Sequence, residues 1–130
     1  LGCRARGELA LLSGAGEKDW VYAVDVAEAV ALLLEAERPQ HTLYNISSGV
    51  SFSVANWGEA FAALQPGFVC RLAEPGERPT IAMLSPDRAP LSVTRLDDEF
   101  GWRAKFDCET SAAHLSRWFD TYGKGTSEGA

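Results

Sequence analysis

Apolar and polar positions alternate between two periods along this chain, and the switches mark its elements. Residues 9–12 (Leu-Ala-Leu-Leu) form a short apolar run stopped by Ser13-Gly14-Ala15-Gly16, which predicts a strand and a turn. Residues 20–24 (Trp-Val-Tyr-Ala-Val) predict a second short strand. Asp25 then stands where a helix N-cap is expected, with Glu28 three residues on in a capping-box-like pattern. Val26, Ala29, Val30, Leu33 and Leu34 recur at helical spacing and predict one buried face, with the helix fading at Glu37-Arg38 before Pro39.

Residues 42–47 (Thr-Leu-Tyr-Asn-Ile-Ser) predict a strand that ends in a turn at Ser48-Gly49. Ser53 caps a second predicted helix reaching about Leu64, with Val54, Trp57, Ala60, Phe61 and Leu64 on one face and Pro66-Gly67 as its breaker. Residues 68–72 predict a third strand. Four prolines, at 75, 79, 86 and 90, then predict an irregular stretch. A short helix is expected from Thr94 to Phe100, closed by Gly101. The last helix is expected to start at Thr110 or Ser111, with Ala113, Leu115, Trp118 and Phe119 available for packing, and a polar tail follows from Gly123. Helices and strands alternate, so the class is α/β, with fewer strands than a doubly wound sheet needs.

Composition narrows the function. Of 130 residues, 46% are hydrophobic and 23% charged, values that support a packed core. The net charge is −6, so the dense basic surface that nucleic acid requires is missing. Three widely spaced cysteines, Cys3, Cys70 and Cys108, do not read as a disulfide framework and fit a reducing, cytoplasmic setting. His41 and His114 are far apart and no CxxC occurs, so no metal site is expected. No apolar run approaches the ~18 residues of a membrane span. The start is not a signal peptide and lacks an initiator Met, which suggests a fragment or processed product.

Three stretches in order resemble the C-terminal region of extended short-chain dehydrogenases of the NAD-dependent epimerase/dehydratase family. The first is Lys18-Asp19-Trp20-Val21-Tyr22-Ala23-Val24-Asp25-Val26-Ala27, similar to the family's Arg-Asp-aromatic-Val-His/Tyr-Val-Asp-Asp-Val-Ala. The second is Tyr44-Asn45-Ile46-Ser47-Ser48-Gly49, similar to Tyr-Asn-Ile-Gly-Ser-Gly. The third is Thr94-Arg95-Leu96 followed by Phe100-Gly101-Trp102, similar to Ser-Lys-Leu and Leu-Gly-Trp. The resemblance implies a partial fold with a few short strands and three to four helices. It implies a substrate-binding region over residues 1–122 and a flexible tail over 123–130.

The family's chemistry resides elsewhere, in a Gly-rich dinucleotide loop and a Tyr-x-x-x-Lys. Gly14-Ala15-Gly16-Glu17-Lys18-Asp19 has Asp where the third Gly belongs and leads into an aromatic run, so it reads as a turn. Four residues after Tyr22, Tyr44 and Tyr122 stand Val26, Ser48 and Thr126, never Lys. Gly123-Lys124-Gly125-Thr126 lacks the upstream glycine of a phosphate loop. No catalytic or cofactor-binding residue is therefore assigned to this chain, and NAD or NADP is implied only for a full-length enzyme.

By the same resemblance, Leu11, Leu12 and Ser13 are candidates to lie against the substrate, and Lys18 matches a family arginine near a diphosphate. Glu74-Pro75-Gly76-Glu77 stands where nucleotide-sugar enzymes carry Arg-x-Gly-Asp. Glu77 keeps the capacity to accept from hydroxyls, Glu74 cannot replace an arginine, and Arg71, Arg78 or Arg88 could compensate. The candidate substrate-binding set is thus Leu11, Leu12, Ser13, Lys18, Glu77 and Arg78. Asp25 reads as a helix cap, Asn45 as a strand-end residue, and the four tryptophans as core or interface anchors. The implied partners are a sugar-derived small molecule and either a second copy or a missing nucleotide-binding portion. A non-catalytic binding or assembly module is the alternative.

Overall fold

The computed structural model describes residues 8–13, 16–80 and 89–122. Cys3, most of the Gly14-Ala15-Gly16 turn, Arg88 and the tail from Gly123 lie outside them. Four strands and four helices occur among the described residues, in the order β1 (Ala10–Leu12), β2 (Glu17–Asp19), α1 (Ala23–Glu35), β3 (Ser51–Ser53), α2 (Val54–Leu64), β4 (Cys70–Leu72), α3 (Thr94–Phe100) and α4 (Cys108–Tyr122). The class is α/β, as expected. The chain divides into two compact units: residues 1–16, 53–86 and 108–130, and residues 17–52 and 87–107.

In the first unit β1 and β4 pair in parallel, with Ala10, Leu11 and Leu12 facing Cys70, Arg71 and Leu72. Helix α2 packs on β4 and α4. Ser53 caps it as predicted: its hydroxyl accepts the Asn56 N–H at 3.1 Å, and Asn56 Oδ1 accepts the Ser53 N–H at 3.0 Å. Phe61 is buried, stacked on Trp57 at 5.1 Å and edge-on to Phe68 and Phe119. Gly58 lets α2 approach the strands, because a Cβ there would lie 2.9 Å from both Cys70 Sγ and Leu12 Cδ1. Helix α4 begins two residues before the expected Thr110, and its buried positions are Ser111, Ala112 and Ser116. Trp118, expected to pack, is half exposed. The packed face is thus set one residue away from the expected one, because small residues at 111, 112 and 116 allow close approach.

The second unit is built on Ala29, Leu96 and Trp102, with Leu32, Leu33, Tyr44, Ile46, Val93, Phe100 and Ala104 around them. Here three expectations are corrected. Residues 20–24 do not form a strand. Pairing occurs earlier, between β2 and β3, and Ala23 and Val24 already belong to α1. The aromatic residues of this segment pack from irregular backbone: the Trp20 indole N–H donates to Phe52 O at 2.9 Å, and Tyr22 tilts on Phe106 at 4.8 Å.

Asp25 is not a helix cap. Tyr22 occupies the N-cap position without a side-chain bond, and Asp25 is the third helical residue. It is fully buried, and its carboxylate accepts the N–H groups of Lys105 at 3.0 Å and Phe106 at 3.2 Å. Glu28 pairs with the Lys105 ammonium. The spacing that resembles a capping box instead places two carboxylates on one face of α1, where both hold residues 105 and 106.

Residues 42–47 are in no ladder. Tyr44, Ile46 and Ser47 point inward while Leu43 and Asn45 are exposed, the alternation of a strand. Side chains hold the segment instead. The Tyr44 hydroxyl donates to Glu99 at 2.5 Å, the Asn45 amide to Ser92 O at 3.0 Å and the Ser47 hydroxyl to Asp19 at 2.5 Å. Arg95 donates to Leu43 O at 2.8 Å. Helix α1 also ends at Glu35, short of Glu37, and Val30 and Leu34, expected in the core, are 41% and 81% exposed. Burial follows Ala29, Leu32 and Leu33 because the core of this unit lies on that side. Helix α3 runs as predicted, closed by Gly101 at φ 63° with its N–H on Asp97 O at 2.8 Å.

Candidate functional site

The carboxyl end of the β1–β4 pair gathers most of the predicted site. Parallel strands carry their ladder bonds to this end, and in open α/β sheets ligands collect beyond it. Ala73 N–H donates to Leu12 O at 2.9 Å, so the chain leaving β4 stays beside β1. It turns at Glu74-Pro75-Gly76-Glu77, where the Glu77 N–H reaches Glu74 O at 3.0 Å. Gly76 has φ 93°, so Pro75 and Gly76 occupy the two central positions that a type II turn favours. The chain then returns to β1. Thr80 Oγ1 accepts the Leu11 N–H at 3.0 Å, and the Thr80 N–H donates to Leu11 O at 2.8 Å. Strand β1 thus lies between β4 and Thr80.

Charge at this end is concentrated in one pair. The Arg71 guanidinium donates to both oxygens of Glu77, at 2.6 and 2.8 Å, and to Leu72 O at 2.9 Å. The Glu74 N–H adds a third donor to Glu77 at 2.8 Å. The hydrogen bonds from Arg71 and then from the Glu74 N–H hold the Glu77 carboxyl down at a pKa of about 2. Glu77 raises Arg71 in return. The pair remains about one-third exposed, so neither partner is sealed from solvent.

Leu11, Leu12 and Ser13 are half-buried, in β1 and directly after it, and Arg78 is exposed just past the turn. The structure therefore brings Leu11, Leu12, Ser13, Glu77 and Arg78 to one loop cluster. Lys18 is not part of it: it lies on β2, in the other compact unit. Two participants were hard to foresee. Arg71 carried no spacing rule linking it to Glu77, and Thr80 gave no signal beyond being a polar residue between prolines.

Among the described residues no cluster of His, Cys, Asp and Glu could hold a metal ion. No described helix is long and apolar enough to cross a membrane.

This fold is that of part of an extended short-chain dehydrogenase. The backbone resembles dTDP-glucose 4,6-dehydratase from Bacillus anthracis in complex with NAD, with a TM-score of 0.69 and 16% identity, over 95% of this chain and 38% of that one. UDP-glucose 4-epimerase from Bifidobacterium longum, in complex with NAD+ and UDP, gives a TM-score of 0.67 and 18% identity over 90% of this chain and 36% of that one. A GalE-like L-threonine dehydrogenase from Cupriavidus necator gives 0.64 and 26% identity over 89% of this chain and 42% of that one. The chain thus spans about two-fifths of the length of these enzymes or slightly less. No protein-family model matches the sequence, and none of the curated proteins matches it.

Proposed function

We propose that this chain is the substrate-binding part of an NAD(P)-dependent sugar epimerase/dehydratase or sugar dehydrogenase. One observation carries the reading: almost the whole backbone matches a minor share of an NAD-bound dehydratase, while the sequence holds no Tyr-x-x-x-Lys. The substrate meets Leu11, Leu12 and Ser13 at the end of β1. Glu77 and Arg78 offer it a carboxylate and a guanidinium, and Lys18 contributes positive charge from the other unit. When bound, NAD or NADP supplies the hydride chemistry, and groups outside this chain move the proton. A reducing cytoplasmic setting suits Cys70 and Cys108, which form no disulfide among the described residues.

Two surface features of the second unit support a polypeptide partner. Ala23, Val24, Ala27, Val30, Ala31 and Leu34 form an exposed apolar stripe along α1 at helical spacing. The main-chain N–H groups of residues 42–48 have no hydrogen-bond acceptor among the described residues, although the segment alternates like a strand. A nucleotide-binding portion that adds a strand and covers the stripe would meet both needs, and a second copy of the chain would meet the need for cover. The stripe alone also favours the alternative, a non-catalytic assembly module.

Calorimetric titration with NAD, NADP, free sugars and sugar acids separates these readings. Binding of a sugar or sugar acid without binding of either dinucleotide is the expected outcome. Saturable NAD or NADP binding by this chain alone would refute it, because a cofactor site would then reside here. A chain that self-associates and binds none of the four is the assembly module.

A further inference from the structure

Resting on that substrate-side reading, we infer that the carboxyl end of the β1–β4 pair receives a substrate without a diphosphate: an unphosphorylated sugar, a sugar acid or a comparably small polar molecule. A diphosphate needs several strong donors at once, which proteins supply as guanidinium forks, ammonium groups or clustered main-chain N–H groups. The described charged side chains at this end are Arg71, Glu74, Glu77 and Arg78.

Arg71 is committed to both Glu77 oxygens and to Leu72 O. A phosphate that took Arg71 would break a bidentate charge-assisted pair and leave the Glu77 carboxylate facing it. Glu74, exposed in the same tight turn, adds a second like charge. Arg78 makes no ion pair among the described residues, and one guanidinium fork matches one carboxylate. Hydroxyl groups meet no such conflict. They can donate to the remaining lone pairs of Glu77 while the Arg71 pair stays closed. Hydroxyls with at most one anionic group therefore suit this end, and a pyrophosphate does not.

The test is calorimetric titration of the full chain with UDP and with inorganic pyrophosphate, in wild type and in the Glu74→Arg, Glu77→Gln double variant. Wild type is expected to bind neither saturably. The double variant, with Arg71 released and a second cation in the turn, is expected to bind both at least about tenfold more tightly, with affinity that falls as salt is raised. Should circular dichroism show the double variant unfolded, Glu74→Arg alone carries the same expectation, since the Glu74 side chain makes no hydrogen bond among the described residues. Saturable binding of either anion to wild type overturns the inference, and so does a folded variant that gains nothing. UDP binding to wild type would leave the substrate-side reading standing. NAD binding would sink that reading without touching this one.

Discussion

The sharpest prediction concerns Asp25, because two physical readings of it give opposite results for one substitution. As a helix cap, Asp25 would tolerate Asn almost without cost, since the two residues cap about equally well. As a buried tether it would not. Its two oxygens each accept one main-chain N–H, from Lys105 and Phe106, and the residue is fully buried. Hydrogen bonds to a charged group contribute roughly 1.5–3 kcal/mol each, and a buried donor left alone costs about 1–3 kcal/mol. Asn keeps the size but offers one acceptor oxygen and turns an NH2 group toward the other amide. The expected loss is about 2–3 kcal/mol for Asp25→Asn and about 3–5 kcal/mol for Asp25→Ala, which removes both acceptors. The neighbouring exposed Glu28–Lys105 pair provides the internal control, and Glu28→Gln should cost under about 1 kcal/mol. Urea unfolding followed by tryptophan fluorescence and far-UV circular dichroism measures all three, with Trp102 buried in the same unit as a reporter. An Asp25→Asn variant within about 0.5 kcal/mol of wild type would refute the tether, because surface changes alone stay inside that range.

Two further predictions follow from the first unit. A β-branched side chain at Gly58 must displace Cys70 Sγ and Leu12 Cδ1, so Gly58→Val should destabilise by roughly 1–3 kcal/mol, read from the urea midpoint. Glu77 should titrate near pH 2 in carboxyl NMR and move back toward its ordinary value of 4.5 in Arg71→Ala. Its folded pKa is depressed, so the stabilisation it contributes is complete above about pH 4.5 and is lost as pH falls toward 2.

Much of the architecture was legible because it is written locally. Ser53 with Asn56, the Pro66-Gly67 breaker and the Gly101 terminus each act within a few residues of the backbone they satisfy. The chain was misread where a local signal is used over a long range. Asp25 and Glu28 carry the spacing of a capping box, yet both reach a segment some 80 residues away. Asp19 does the same in β2, accepting the Ser47 hydroxyl and, at 2.7 Å, the Leu91 N–H. A carboxylate's sequence position does not say which distant amide it meets, so these tethers become visible only when the chain is folded.

The candidate site shows the same division between composition and geometry. The acidic character of Glu74-Pro75-Gly76-Glu77 and its tight turn were legible, since Pro followed by Gly favours one turn type. The pairing of Arg71 with Glu77 was not, because it depends on β4 ending just where the turn folds the chain back. That pairing changes what the loop can recognise. Read as sequence, Arg71 and Arg78 are two cations available to offset two carboxylates. In the fold, Arg71 is already held by one of those carboxylates, which leaves Arg78 against Glu74. A loop with balanced formal charge is thereby left without the concentrated positive field a diphosphate needs, while its hydroxyl-accepting oxygens remain in reach of solvent.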